Sequence, residues 1–226
     1  MCRLLAATRG GDPELFQRML DLSHYHRDGW GAAWWSPTTQ GYVRGDQPAY
    51  RRDSGFRRIA TILTRLQPVT YVCHVRKRSM APSRVSNSHP FVRDGWAFVH
   101  NGTLPWLETP TITDSERFFD AEIVPGLTAG DDPVDVIGEA VARAPQTYTA
   151  LNCVVTDGVR MYVLESHLTN PDYYELRWNS DSRGVCVASA DVAPAEWEVL
   201  GNGNLLVIDR GTRVVNVSSR SRRLTA

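Results

Sequence analysis

Met1-Cys2-Arg3-Leu4-Leu5-Ala6-Ala7 opens the chain with a cysteine directly behind the initiator methionine and an apolar run behind the cysteine. Arg3 to Thr8 is predicted as a short strand. Removal of Met1, which a residue as small as cysteine permits, leaves Cys2 carrying a thiol and an α-amine on one Cα. Their ordinary pKa values, about 8.5 and about 7.7–8.0, let the amine take the thiol proton near neutral pH, directly or through a water. No separate histidine base is then required. The plainer alternative is a small hydrophobe packed at the start of a strand.

Working outward, four more segments carry matching chemistry: Tyr71-Val72-Cys73-His74-Val75-Arg76, Asn87-Ser88-His89-Pro90-Phe91, Val99-His100-Asn101-Gly102-Thr103 and Thr113-Asp114-Ser115-Glu116. A tetrahedral intermediate at an amide carbonyl needs two donors, and Asn101 and Gly102 at a strand end can supply an amide NH2 and an unobstructed backbone N–H. The same dipeptide also reads as a hairpin turn. A ligand with an α-carboxylate and an α-ammonium needs a fixed cation and a fixed anion, for which Arg76 and Asp114 are the candidates. A surface arginine and a helix-dipole carboxylate are their bland counterparts, since Thr113 and Glu116 stand at capping-box spacing. His74, His89 and His100 lie in separate segments without the short ligand spacings of zinc sites, and no Cys-x-x-Cys pair occurs among Cys2, Cys73, Cys153 and Cys186. No metal is expected. His74 and His100 are placed nearest the chemistry, and His89-Pro90 is expected to fix a loop beside it.

In that order, cysteine, His-x-Arg, Asn-x-His-Pro, His-Asn-Gly and Asp-x-Glu resemble the class II glutamine amidotransferases, a family of N-terminal nucleophile hydrolases. The match runs through roughly the first half of the chain. The opening Met-Cys-Arg-Leu, Asp28-Gly29-Trp30-Gly31 and the short length are more similar to the free-standing subfamily that includes the γ-glutamyl hydrolase of ergothioneine synthesis. The resemblance implies a four-layer αββα sandwich of two antiparallel sheets, with residues 1–226 as one domain. It also implies a γ-glutamyl amidohydrolase working through a Cys2 thioester without a cofactor. Cys2, Asn101 and Gly102 would be catalytic, while Arg76, Asp114, His74 and His100 would hold the substrate. In the family the Asp-Gly-x-Gly stretch lies beside the nucleophile. Arg27, Asp28 and Gly29 are accordingly expected to support the site, against the alternative of a turn with a surface ion pair. Ammonia, if released, would go to a separate synthase subunit, since 226 residues leave no room for a synthase domain. The reading of a different class is a non-catalytic member that binds a γ-glutamyl ligand or regulates a partner.

Composition sets the outer bounds. With 42% hydrophobic residues the chain can bury a large core, and its 25 basic and 25 acidic side chains cancel to a formal net charge of zero. Nothing there points to nucleic acid or membrane. Neither a signal peptide nor a membrane-length apolar run is visible, and four cysteines without a disulfide framework fit the cytoplasm. The Ser218–Arg223 tail reads as a solvated terminus rather than a nucleic-acid patch.

Periodicity predicts helices from Pro13, over Phe56 to Leu66, Asp114 to Ile123 and Pro133 to Ala144. Strands are predicted at Gly31–Ser36, Gly41–Arg44, Thr70–His74, Trp96–His100, Asn152–Thr156, Arg160–Glu165, Tyr173–Trp178, Gly184–Ala188, Leu205–Asp209 and Thr212–Val217. The composition of elements is α+β.

Overall fold

Strand after strand alternates between two different apolar environments. Leu5 and Ala7 face one cluster while Leu4 and Ala6 face another; Tyr71 and Cys73 divide from Val72 in the same way, and Phe98 from Ala97 and Val99. A strand with both faces buried in apolar surroundings must be covered twice, and two sheets packed face to face with helices outside satisfy that demand.

The computed structural model describes residues 2–66, 69–211 and 215–219. The strands are β1 (Arg3–Ala7), β2 (Trp30–Trp35), β3 (Gln40–Gly45), β4 (Thr70–Val75), β5 (Phe91–Arg93), β6 (Trp96–Asn101), β7 (Asn152–Thr156), β8 (Arg160–Leu164), β9 (Leu176–Asp181), β10 (Gly184–Ser189), β11 (Glu198–Val199), β12 (Asn204–Asp209) and β13 (Val215–Ser219). The helices are α1 (Pro13–Leu22), α2 (Phe56–Arg65), α3 (Asp114–Phe118), α4 (Val124–Ala129), α5 (Pro133–Arg143) and α6 (Pro171–Tyr174). One sheet has the order β11-β9-β10-β1-β4-β2-β3 and the other β13-β12-β8-β7-β6-β5, with every pairing antiparallel. Helices α1 and α2 cover the first sheet through Phe16, Met19, Phe56 and Leu63. The stretch from α3 to α5 covers the second through Phe118, Phe119, Ile123 and Ile137. Leu4, Val72, Val99, Val154 and Val187 fill the seam between the sheets. The four layers and the α+β class are as expected.

Several elements differ in detail. The run begun at Asp114 does not stop at Ile123: a widened π turn over Phe119–Ile123 carries it into α4, because Pro125 falls in the first turn of α4, where its missing N–H costs little. Tyr173 and Tyr174 belong to the short helix α6 rather than to a strand, and the strand begins at Leu176. Asn170, with φ of 47°, and Pro171 set the turn that precedes it. Asn101-Gly102 is no hairpin, since β6 pairs with β7 and with β5. Met1, Thr212 to Val214 and the end of the tail from Arg220 lie outside the described residues.

Phe98 shows what the outer layer contributes. It is fully buried, stacked on Phe119 with ring centroids 4.9 Å apart and close to Phe118 at 6.3 Å. Phe98→Ala should cost about 3–5 kcal/mol, lowering the thermal midpoint by about 10 °C. A loss below about 1 kcal/mol in denaturant unfolding would mean that the helices do not seal this face.

Candidate active site

Cys2 precedes β1, an interior strand of the first sheet, and Asn101 ends β6 of the second. The seam therefore brings together residues 99 positions apart: the Cys2 nitrogen donates to Asn101 Oδ1 at 3.0 Å. The other Asn101 side-chain atom, Nδ2, is buried and has no partner among the described residues. Leaving such a donor unpaired costs about 1–3 kcal/mol, which a site recovers when the donor faces charge that develops only during reaction. Gly102 follows directly. A Cβ there would lie 1.8 Å from the Ala150 carbonyl oxygen and 2.9 Å from His100 Nε2, so no larger residue fits beside the 150 segment.

Cys2, Gly102 and Asp114 line one cavity of about 160 Å³, together with Arg76, Lys77, Arg78, Ser79, His89, His100, Thr103, Thr113 and Ser115. That is small for a drug-sized ligand and suits an amino-acid head group. The Cys2 thiol donates to the Lys77 carbonyl at 3.6 Å and accepts from the Lys77 nitrogen at 3.5 Å. Burial pushes the thiol above its ordinary pKa, so the sulfur stays protonated until a base takes its proton. Cys73, Cys153 and Cys186 are buried away from the cavity, and burial raises all three, the last two to about 12.

Arg3 pairs with Val75 in the sheet, which puts Arg76 next to Cys2. Its guanidinium is 3% exposed and makes no ion pair among the described residues. It donates to the carbonyls of Ala81 at 2.8 Å, Pro82 at 3.1 Å and Asp28 at 3.4 Å. With its donors turned to these carbonyls, Arg76 does not present a two-pronged carboxylate grip in this arrangement. What the cavity receives from Arg76 is a positive charge with no direct ion-pair partner among the described residues, on the same lining as the Asp114 carboxylate, which suits a ligand that carries both charges. Asp114 is fixed by its neighbours: Oδ2 accepts from Leu104 N at 2.7 Å and Oδ1 from Ser115 N at 2.8 Å. Thr113 Oγ1 caps α3 by accepting from Glu116 N at 3.1 Å, as predicted, while Glu116 turns instead to Arg93 at 2.8 Å.

The three histidines meet at the cavity, with His89 and His100 on its wall and His74 behind them. His100 lies between the Ser115 hydroxyl, 2.8 Å from Nδ1, and the Ala150 carbonyl, 3.1 Å from Nε2. The carbonyl can only accept, so Nε2 carries the hydrogen and Nδ1 accepts from Ser115. His74 donates from Nε2 to the His100 carbonyl at 3.1 Å and does not line the cavity, which corrects its placement among the substrate contacts. His89, expected only to fix a loop, is a cavity wall, with its ring 4.1 Å from that of His74 and both nitrogens unpartnered. Burial lowers all three, His74 to about 3, so they stand neutral. Among the described residues no group of three or more His, Cys, Asp or Glu is arranged to hold a metal ion.

The 24–31 segment divides. Asp28 braces the loop over the cavity, accepting from Arg78 N at 3.0 Å and Ser83 Oγ at 2.8 Å. Gly29, at φ of 131°, packs against Ser88 and Gly45, and its carbonyl accepts from Arg76 N at 2.8 Å. Arg27 is exposed and donates to the His24 carbonyl, so it supports the turn and not the site. Its neighbour His26 is the buried one, and sequence reading passed over it.

Residues 12–167, well over half the chain, match the family described as class-II glutamine amidotransferases. The chain belongs to that family. An uncharacterized protein of Methanocaldococcus jannaschii is 23% identical to this amidotransferase chain over 234 aligned positions, covering 85% of this chain and 64% of that one. The chain thus spans somewhat under two thirds of that relative. A glutamine aminotransferase class-II domain protein from Silicibacter pomeroyi shares the fold, with a TM-score of 0.65 at 21% identity over 96% of this chain and 99% of that one. The glutamine phosphoribosylpyrophosphate amidotransferase of B. subtilis does so as well, with a TM-score of 0.70 at 15% identity over 99% of this chain and half of that one. No helix among the described residues is long and apolar enough to cross a membrane.

Proposed function

We propose that this amidotransferase chain is one catalytic domain that hydrolyses the γ-glutamyl amide of glutamine or of a γ-glutamyl conjugate, through a thioester on an N-terminal Cys2. The observation that carries the reading is the Asn101 side chain, which holds the Cys2 nitrogen with one atom and keeps the other buried and free beside it. After Met1 is removed, the α-amine gives one hydrogen to Asn101 Oδ1 and keeps its lone pair to take the thiol proton. The thiolate attacks the γ-carbonyl, and Asn101 Nδ2 with the Gly102 N–H receives the oxyanion. The amine leaves with the proton that the α-amine carried. Water then hydrolyses the thioester to glutamate. Arg76 attracts the α-carboxylate by charge, and Asp114 accepts from the α-ammonium. In Asp114→Asn an oxygen remains for Leu104 N while the charge is lost, so KM should rise about 10-fold with kcat changed far less. An unchanged KM would remove Asp114 from the binding site.

The reading extends to a cytoplasmic enzyme that either passes ammonia to a separate synthase subunit or works alone on a larger conjugate. Glutamate release from glutamine and from γ-glutamyl-p-nitroanilide, with the N-terminus checked by intact mass, tests it. Release from glutamine favours the ammonia donor, and release from the anilide alone favours the stand-alone hydrolase. Release from neither by protein lacking Met1 would overturn catalysis in favour of a ligand-binding role, and so would full activity in protein that retains Met1.

A further inference from the structure

His26 and Tyr173 lie outside the cavity lining, and Tyr173 reaches the Cys2 carbonyl where Lys77 meets the sulfur. His26 is 5% exposed, and its Nδ1 lies 2.7 Å from the Leu22 carbonyl at the end of α1. A carbonyl only accepts, so Nδ1 carries the hydrogen and Nε2 presents a lone pair. Burial lowers His26 to about 4, which leaves it neutral near pH 7. The Tyr173 hydroxyl stands 3.3 Å from that Nε2 and 3.5 Å from the Cys2 carbonyl oxygen. One phenolic proton thus has two acceptors in reach, a three-centre arrangement.

The position of Tyr173 is itself fixed. The Arg3 guanidinium lies over its ring, 3.6 Å from the centroid, and donates from Nη1 to its carbonyl at 3.0 Å. Arg3 is held in turn by an ion pair with Asp191. Every polar atom of Cys2 therefore has a tether from a different part of the chain: the nitrogen from β6, the sulfur from the 77 segment, and the carbonyl from α6.

We propose that His26 and Tyr173 act together as positioning residues for Cys2: His26 orients the tyrosine hydroxyl, and the hydroxyl fixes the Cys2 carbonyl. With the carbonyl held, rotation about the Cα of Cys2 is restricted, and the α-amine stays within reach of its own thiol. Neither residue touches substrate. The inference rests on the reading of Cys2 as an N-terminal nucleophile.

Two substitutions separate this role from packing. Tyr173→Phe keeps the ring under Arg3 and removes the hydroxyl. His26→Asn keeps a donor for the Leu22 carbonyl and withdraws from Tyr173. In the full chain with Met1 verified absent, each should lower kcat about 10-fold with KM within about twofold, and slow alkylation of Cys2 by iodoacetamide to a similar degree. The double variant should lose no more than the worse single one, because both remove the same constraint. Unchanged alkylation and kcat in Tyr173→Phe would overturn the inference, as would losses that multiply in the double variant. Alkylation needs no substrate, so the two readings fail separately. Wild-type protein that alkylates faster than both variants yet releases no glutamate sinks the hydrolase reading and leaves the positioning role standing.

Discussion

Cys2→Ala should abolish glutamate release, a fall of about 10³-fold or more in kcat, while the protein remains folded. Alanine still permits Met1 removal and fills nearly the same space at a site that is 7% exposed. The sulfur's contacts, both with the Lys77 backbone at 3.5–3.6 Å, are weak, so the thermal midpoint should move by only a few degrees. The variant also keeps the α-amine. Activity surviving in Cys2→Ala would therefore dismiss the thioester route, since neither Cys73, Cys153 nor Cys186 reaches the cavity.

Asn101→Asp is the second large effect. The carboxylate keeps an oxygen where Oδ1 accepts from the Cys2 nitrogen, but it replaces the buried free NH2 with negative charge. A tetrahedral oxyanion then meets a repulsive group in place of a donor, and kcat should fall about 10²–10³-fold, equivalent to about 2.7–4 kcal/mol of transition-state stabilisation. KM should stay within about threefold, because on the proposed function the substrate's α-groups are held by Arg76 and Asp114. If Asn101→Asp retains more than a tenth of wild-type kcat, Nδ2 does not receive the oxyanion.

Much of this was legible in the residues because the signals were local. Near-continuous apolar runs in Arg3 to Ala7 and Thr70 to Val75 read as strands buried on both faces, and Asp12 and Thr113 stand at helix starts that the structure caps with those same side chains. Cys2, Asn101, Gly102, Arg76 and Asp114 could be named from chemistry and from the family resemblance; Cys2, Gly102, Arg76 and Asp114 line one cavity, and Asn101 holds the Cys2 nitrogen. What escaped depends on tertiary packing. His26 and Arg27 are adjacent polar residues in a turn with no period, and only the arrival of α6, far along the chain, decides which of them is buried. The expected role of Arg76 was altered by the carbonyls of its own loop, which sequence spacing does not reveal. Tyr173-Tyr174 carries strand-like composition, but the Asn170-Pro171 turn overrides it.

On the proposed function, the interior place of β1 also bears on when an N-terminal Cys2 can be made. β1 pairs with β4 on one side and with β10, some 180 residues later, on the other. An aminopeptidase needs a loose, extended terminus, whereas the folded protein leaves Cys2 and Arg3 only 7% and 2% exposed. If Cys2 is the N-terminal nucleophile proposed above, methionine excision would belong to the interval of synthesis before β10 pairs with β1. A nascent chain would then have an accessible terminus but no closed site, because Asn101 and Tyr173 would not yet be packed against Cys2. On the proposed function, the topology would order maturation: trimming first, closure of the site second.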